Sequence, residues 1–160
     1  MALDELTLLN LILEQTKILN LDPEYWELIP IDVDKPVVLP AGAERDLLFE
    51  RERGKLIAMT FVVDNPLVKL TIYLDDRKIE GTPTDLYVAG LVGYNPTTFW
   101  LSRYDVANNA YVIWYTPVPP MDYFAQVKMT AKAPALVDVN YSYSIYRWKM
   151  KKEPVKVLRK

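Results

Sequence analysis

Three carboxylate pairs stand close enough in sequence to do acid–base chemistry: Asp75 with Asp76, Glu50 with Glu52, and Asp64 with Asp75 across an intervening segment. A glycosidase needs two carboxyls at a set separation over a cleft. Asp75–Asp76, however, falls where a hairpin tip is due, and Asp is a default turn residue. Glu50 and Glu52 sit beside Arg51 and Arg53, which predicts a solvated ion-pair edge of the kind that guards a strand against unwanted pairing.

The rest of the chemical inventory is thin. Cys and His are absent, and Ser occurs only at 102, 142 and 144. Without His and Cys, zinc, haem, iron–sulfur and copper sites lose their usual ligands. The commonest general base and the thiolate nucleophile are lost with them. There is no phosphate-cradling glycine loop, no GxSxG elbow and no spaced Asp/Asn/Gly loop for calcium. The expectation is a protein that is not an enzyme, with no catalytic residue, cofactor or metal.

What must be positioned is therefore a surface. A chain of 160 residues fits one domain, which buries roughly 70% of its unfolded surface. The 12 Pro, the absence of Cys and just two Gln fit a thermophilic source, against which seven Asn count. The start MALDELTLLNLILEQTK has acids where a secretory signal carries Lys or Arg, and it is too short and polar to span a membrane. The expected location is a virion if the source is viral, and otherwise the cytoplasm.

Three parts follow along the chain. Residues 2–19 read as a helix, with Asp4 and Glu5 at the positive end of its dipole and Lys17 at the other. Leu6, Leu9 and Leu13 form one apolar stripe; Leu8, Leu11, Ile12 and Leu19 form a second beside it. Two stripes exceed what a surface helix buries on its own domain, so a neighbouring subunit is expected to cover one. Residues 20–40 hold Tyr25, Trp26, Leu28 and Ile29 among Pro23, Pro30, Pro36 and Pro40. Such a segment is extended and should run as a strap over a surface, its own or a partner's. The boundaries read as a helix and proline-rich arm over 1–34, a β-sandwich over 35–150 and a basic arm over 151–160.

The body reads as strands. Residues 55–64 are nearly all apolar and predict a central strand buried on both faces. Residues 67–74, 123–131 and 137–149 alternate, the last with Val137, Val139, Tyr141, Tyr143 and Ile145 on one face. Residues 99–104 and 111–116 flank Asn108–Asn109, a hairpin tip. Residues 81–98 read as a long crossover loop. The fold class is mainly β: an antiparallel sandwich of about eight strands, jelly-roll-like, with an N-terminal α-helix.

Charge is asymmetric. From Arg147 onward lie Arg147, Lys149, Lys151, Lys152, Lys156, Arg159 and Lys160 against Glu153 alone; this net +6 leaves −8 on the rest, since the whole chain carries −2. An arm of this kind seeks an acidic surface, and the acidic body of a neighbour offers one. Nucleic acid is not expected, because the body would repel it. The clustered aromatics, among them Trp100, Trp114 and Trp148, read mainly as core or interface. The alternative is an exposed row that stacks on sugar rings in a carbohydrate-binding or adhesion module.

About eight antiparallel strands, a helical extension and a basic arm resemble viral jelly-roll or sandwich shell proteins, either capsid subunits or decoration (cement) proteins. The stretch IAMTFVVDNPLVKLTIYLDDRKIEGTPTDLYVAGL is similar to structural proteins of tailed phages, with a strand–Asn-Pro–strand hairpin ahead of a long loop. The resemblance spans residues 35–150. It implies terminal arms that strap subunits together, so the expected partners are copies of this chain and a larger protein shell. The interface residues expected are Leu6, Leu8, Leu9, Ile12, Leu13, Tyr25, Trp26, Leu28, Lys149, Lys151, Lys152, Lys156 and Arg159.

Overall fold

A computed structural model of the chain describes residues 25–151, together with Leu9, Asn10, Ile12, Leu13 and Thr16. The helix expected over 2–19 falls outside the described residues apart from those five, and it is not shown as an element.

Ten strands and one short helix make up the described body: β1 (Trp26–Leu39), β2 (Glu44–Glu50), β3 (Gly54–Val63), β4 (Lys69–Leu74), β5 (Arg77–Gly81), α1 (Pro83–Val88), β6 (Trp100–Asp105), β7 (Ala110–Tyr115), β8 (Met121–Tyr123), β9 (Val127–Lys132) and β10 (Val139–Met150). They form two sheets. One runs β1-β10-β3-β7-β6, with β8 also paired to β3, and the other runs β2-β9-β4-β5. Every pairing between these strands is antiparallel. The pairs are nested: β1 with β10, β2 with β9, β3 with β7 and β8, and β4 with β5 about the Asp75–Asp76 turn. The fold is thus one antiparallel ribbon wrapped so that successive nested pairs alternate between two layers.

The inner faces of both sheets meet in one core. Leu56, Met59, Phe61, Ile113, Tyr141 and Ile145 come from the larger sheet, and Leu48, Leu70, Ile72, Val127 and Met129 from the smaller. The alternation of β10 holds throughout, with Val139, Tyr141, Ile145 and Arg147 buried. The hairpin at Asn108–Asn109 is also present, and Asn109 takes φ of 49° at its tip.

Three expectations change. β3 is not buried on both faces: Val62 is exposed and Lys55, Ile57, Ala58 and Thr60 are partly so. Its apolar run looked continuous because a bulge near Ile57 shifts the side-chain phase, with Tyr146 opposite Ala58 but Arg147 opposite Leu56. The single strand expected over 123–131 is two strands in different sheets, since β8 pairs with β3 and β9 with β2 and β4. The loop 81–98 contains α1, started by a capping box. Thr82 Oγ1 accepts the Asp85 N–H at 3.0 Å, and the Asp85 carboxylate accepts the Thr82 N–H at 3.1 Å.

Asp75 enforces the break between β8 and β9. Its carboxylate accepts N–H groups from Phe124 (2.9 Å), Ala125 (2.8 Å) and Gln126 (3.0 Å). Desolvation pushes its pKa up, but those backbone donors and the nearby Arg77 together hold it below the usual carboxylate value. A depressed folded-state pKa contributes stability above the unfolded value, and that stability is lost as pH falls through the folded value. Asp75 also has φ of 56°, a conformation that Asn tolerates well, so Asp75→Asn removes charge without adding backbone strain. The expected outcome is faster amide hydrogen exchange at Phe124, Ala125 and Gln126, and a flatter dependence of stability on acid below pH ~4. Unchanged exchange at all three amides would show that the carboxylate does not hold this turn.

Candidate functional site

Of the residues expected at an interface, Tyr25, Trp26, Leu28, Lys149 and Lys151 lie near one corner of the larger sheet. Trp26, at the start of β1, is opposite Met150, at the end of β10. Beyond this pair, the Lys151 N–H donates to the Tyr25 carbonyl at 2.7 Å. The chain therefore enters and leaves the described body side by side. Tyr25 and Trp26 are buried here against Trp148 and Met150, in a small cluster separate from the main core, and the Lys55 ammonium lies over the Trp26 ring.

The strap over 20–40 is therefore, from Trp26 onward, a strand of the protein's own sheet, and residues 26–34 belong to the body. A proline-containing stretch can do this because β1 pairs on one side only, as the first strand of its sheet. Pro36 falls in the interval where pairing lapses between Val33 and Val37.

Beside the corner lies a cleft of about 710 Å³ lined by Glu27, Ile29, Arg51, Glu52, Arg53, Phe124, Ala125, Lys149, Met150 and Lys151. Four cations face two acids. Lys149 is paired with Glu52 at 2.5 Å, and the Arg53 guanidinium lies over the Phe124 ring. The Glu52 hydrogen bond holds the Lys149 ammonium above its usual pKa. Beneath the cleft, the Arg147 side chain is buried and forked onto Glu50. Its Nε–H donates to Oε2 at 3.0 Å, its Nη2 group meets Oε1, and its Nη1 group donates to the Ile29 carbonyl at 3.1 Å. Arg147 is 4% exposed. Glu50 belongs to β2 and Arg147 to β10, so this ion pair joins the two sheets.

Two corrections to the charge reading follow. Glu50 is not part of a solvated edge, because it is spent on a buried cation. The basic run loses two members, because Arg147 and Lys149 are each matched by an acid of the body. Leu28 is exposed on β1 and Lys151 lines the cleft. Leu9, Ile12 and Leu13 are 59%, 55% and 54% exposed. Leu6, Leu8, Lys152, Lys156 and Arg159 lie outside the described residues.

The other carboxylates serve structure as well. The Asp64 side chain accepts the Asn140 backbone N–H at 2.9 Å and its amide at 2.7 Å, while Asp75 serves the turn after β8. The two therefore anchor different segments. Among the described residues no three Asp or Glu side chains are grouped as metal ligands, and no helix is long and apolar enough to cross a membrane.

The outward face of the larger sheet is the feature sequence reading located only in part. Register places Asp32, Ser144, Thr60, Trp114 and Trp100 in one row across five strands. Leu28, Trp148 and Lys55 form another, and Val62 lies opposite Val112. Trp100 and Trp114 stack at 5.8 Å with 15° between their planes. Their indole N–H groups donate to Thr116 (2.9 Å) and Ser102 (3.0 Å), so the polar atoms are satisfied while the rings stay half-buried. The outward face of the smaller sheet is different in kind. It carries the ion pairs Lys69–Glu80, Lys78–Glu80 and Lys128–Asp46.

No protein-family model matches the chain, and no curated protein matches it.

Proposed function

We propose that this chain is a non-enzymatic structural subunit of a virion shell, a capsid or decoration protein of jelly-roll type that binds neighbouring copies and a larger shell through the segments flanking its body. The nested pairing of β1 with β10, β2 with β9, β3 with β7 and β4 with β5 supports the jelly-roll reading, an architecture that viral capsid domains share with lectins. The observation that carries the assembly reading is that the described body begins at Tyr25 and ends at Lys151 at one corner, beside a mixed-charge cleft. One segment is rich in Leu and the other in Lys. Segments that leave together can strap the same neighbour, and their apolar burial contributes about 25 cal/mol per Å² without any chemistry.

The test is removal of residues 1–24, a cut that spares the Tyr25–Trp26 cluster and all of β1. The full-length protein should sediment as an oligomer and the truncated one as a folded monomer, with the same strand content by circular dichroism. Replacing Lys151, Lys152 and Lys156 by Gln should weaken association most at low salt. Equal association of truncated and full-length protein would rule out assembly through the leading segment.

A second reading has its own observation. The stacked Trp100–Trp114 pair, with Tyr94 edge-on to Trp100 at 5.9 Å, is a platform on which a sugar ring could lie, as in a carbohydrate-binding or adhesion module. Quenching of Trp fluorescence by oligosaccharides, abolished in Trp114→Ala, would favour it over shell assembly.

A further inference from the structure

We propose that the outward face of the six-stranded sheet is the seat for the Leu9–Ile12–Leu13 stripe of a second copy of this chain. The inference rests on the arm-mediated assembly proposed above and names the surface that receives the arm.

The two sheets differ on their solvent sides. The smaller sheet shows paired Lys, Glu and Asp side chains to water, and its one strongly exposed apolar side chain, Phe49, lies under Arg51 and Lys128. The larger sheet shows Leu28, Val62 and Tyr146 as exposed apolar side chains, with Trp100, Trp114 and Trp148 half-buried among them. Leu28, Tyr146 and Trp148 lie together beside the Tyr25–Trp26 corner, separated from Val62 by the row of Asp32, Ser144 and Thr60; an apolar patch of this kind marks a contact site. The rows run from β1 through β10 and β3 to β7 and β6, a span of about 19 Å at the usual strand spacing.

The chain itself arrives on this side. Trp26 shares the outward side with Leu28 by register, and it is buried with Tyr25 against Trp148. The segment preceding Tyr25 thus starts at a corner of the apolar face. Yet Leu9, Ile12 and Leu13, which share one helical face by their i, i+3, i+4 spacing, are all more than half exposed within a single chain. The stripe lacks a cover and the face lacks a cover, both on the same molecule. Exchange between two copies covers both, and because each gives a stripe and receives one, the pair closes as a two-fold dimer.

The absence of Cys makes the test direct. Chains bearing Leu13→Cys are mixed with chains bearing Val62→Cys or Tyr146→Cys, and treated with a short bis-maleimide. Phe49→Cys, on an exposed position of the smaller sheet, is the control. All four positions are exposed, and a thermal melt of each variant checks that the fold is kept. The expected result is a covalent heterodimer with Val62→Cys or Tyr146→Cys, at least ten times the yield with Phe49→Cys. Cross-linking confined to single chains of a Leu13→Cys/Val62→Cys double variant would make the stripe's seat its own sheet and overturn the exchange. Equal or absent cross-linking to both sheets, in protein that still sediments as an oligomer, would overturn the seat while leaving arm-mediated assembly standing. Sedimentation as a monomer at all concentrations would remove both.

Discussion

Replacing Arg147 by Met while leaving Glu50 in place is expected to cost about 3 kcal/mol of folding stability, at the low end of the range for breaking a buried pair. Removing the guanidinium leaves the Glu50 carboxylate with neither its charge partner nor its two donors, and the Ile29 carbonyl loses the Nη1 bond. Glu50 retains some access to water, with its side chain 18% exposed against 5% for Arg147, which keeps the penalty from reaching the top of that range. Glu50→Gln should cost a similar amount by stranding the cation. The double variant Arg147→Met/Glu50→Leu should recover more than half of the loss, because an apolar pair of similar volume avoids the desolvation penalty of both ions. Urea unfolding with an unchanged m-value measures all three. Strictly additive losses in the double variant would mean the two side chains are not energetically coupled.

Gly54→Ala is expected to be as severe, although a glycine-to-alanine change in an ordinary strand position stabilises by about 0.4–1 kcal/mol through the unfolded state. Gly54 sits in β3 between Lys149 of β10 and Tyr123 of β8. A methyl group there would overlap the hydroxyl end of the Tyr123 ring and press on the Trp148 carbonyl oxygen. Tyr123 is fully buried and cannot swing away. Burial raises its phenol pKa, as does the neighbouring Glu50 charge. Overpacking against a buried ring and backbone costs about 3 kcal/mol, a fall of about 10 °C in Tm for a chain of this size. Tyr123→Ala in the same background should relieve the ring overlap and leave only the contact with the Trp148 carbonyl, so the double variant should be less destabilised than the sum of the singles. A Gly54→Ala protein at least as stable as the parent would show that the close packing of β3, β8 and β10 at this point is wrong.

Both positions bear on what the sequence makes legible. The alternation of Tyr141, Tyr143 and Ile145 was plain, and continued by two residues it puts Arg147 on the core side. A charge at a core-phase position demands a buried partner. Reading Arg147 instead as the start of a basic arm hid the Glu50 pair, because net charge says nothing of which cations are already matched. β3 misled for a different reason. One bulged residue moves every later side chain to the other face, so an alternating strand reads as a solid apolar run. The break at Phe124–Gln126 was invisible because its cause, the Asp75 carboxylate, is some fifty residues away in sequence. The start of α1 was visible in Thr82–Pro83–Thr84–Asp85, an N-cap followed by Pro and an acid at the third position. Six residues are too few for a helical period to announce themselves.

The residues expected at an interface were legible as types, and only some of them can be placed. Tyr25 and Trp26 carried the expected apolar surface, but β1 pairs with β10 and spends that surface within the chain. The outward row of Trp114, Trp100 and Thr60 required knowing which strands lie side by side. Pattern within a strand cannot supply that, because apart from the β6–β7 hairpin the neighbours in this sheet come from distant parts of the sequence.

The nested order of the ribbon also sets a sequence of events during synthesis. The hairpins of β4 with β5 and of β6 with β7 can close as soon as their own residues have emerged. Each outer pair must wait longer, and Trp26 waits for Met150. Long-range pairing of this kind slows folding. The corner where Tyr25 and Trp26 meet Met150 and Lys151 is thus the last part of the body to come into being, so an unfinished chain leaves the Tyr25–Trp26 cluster without its partners.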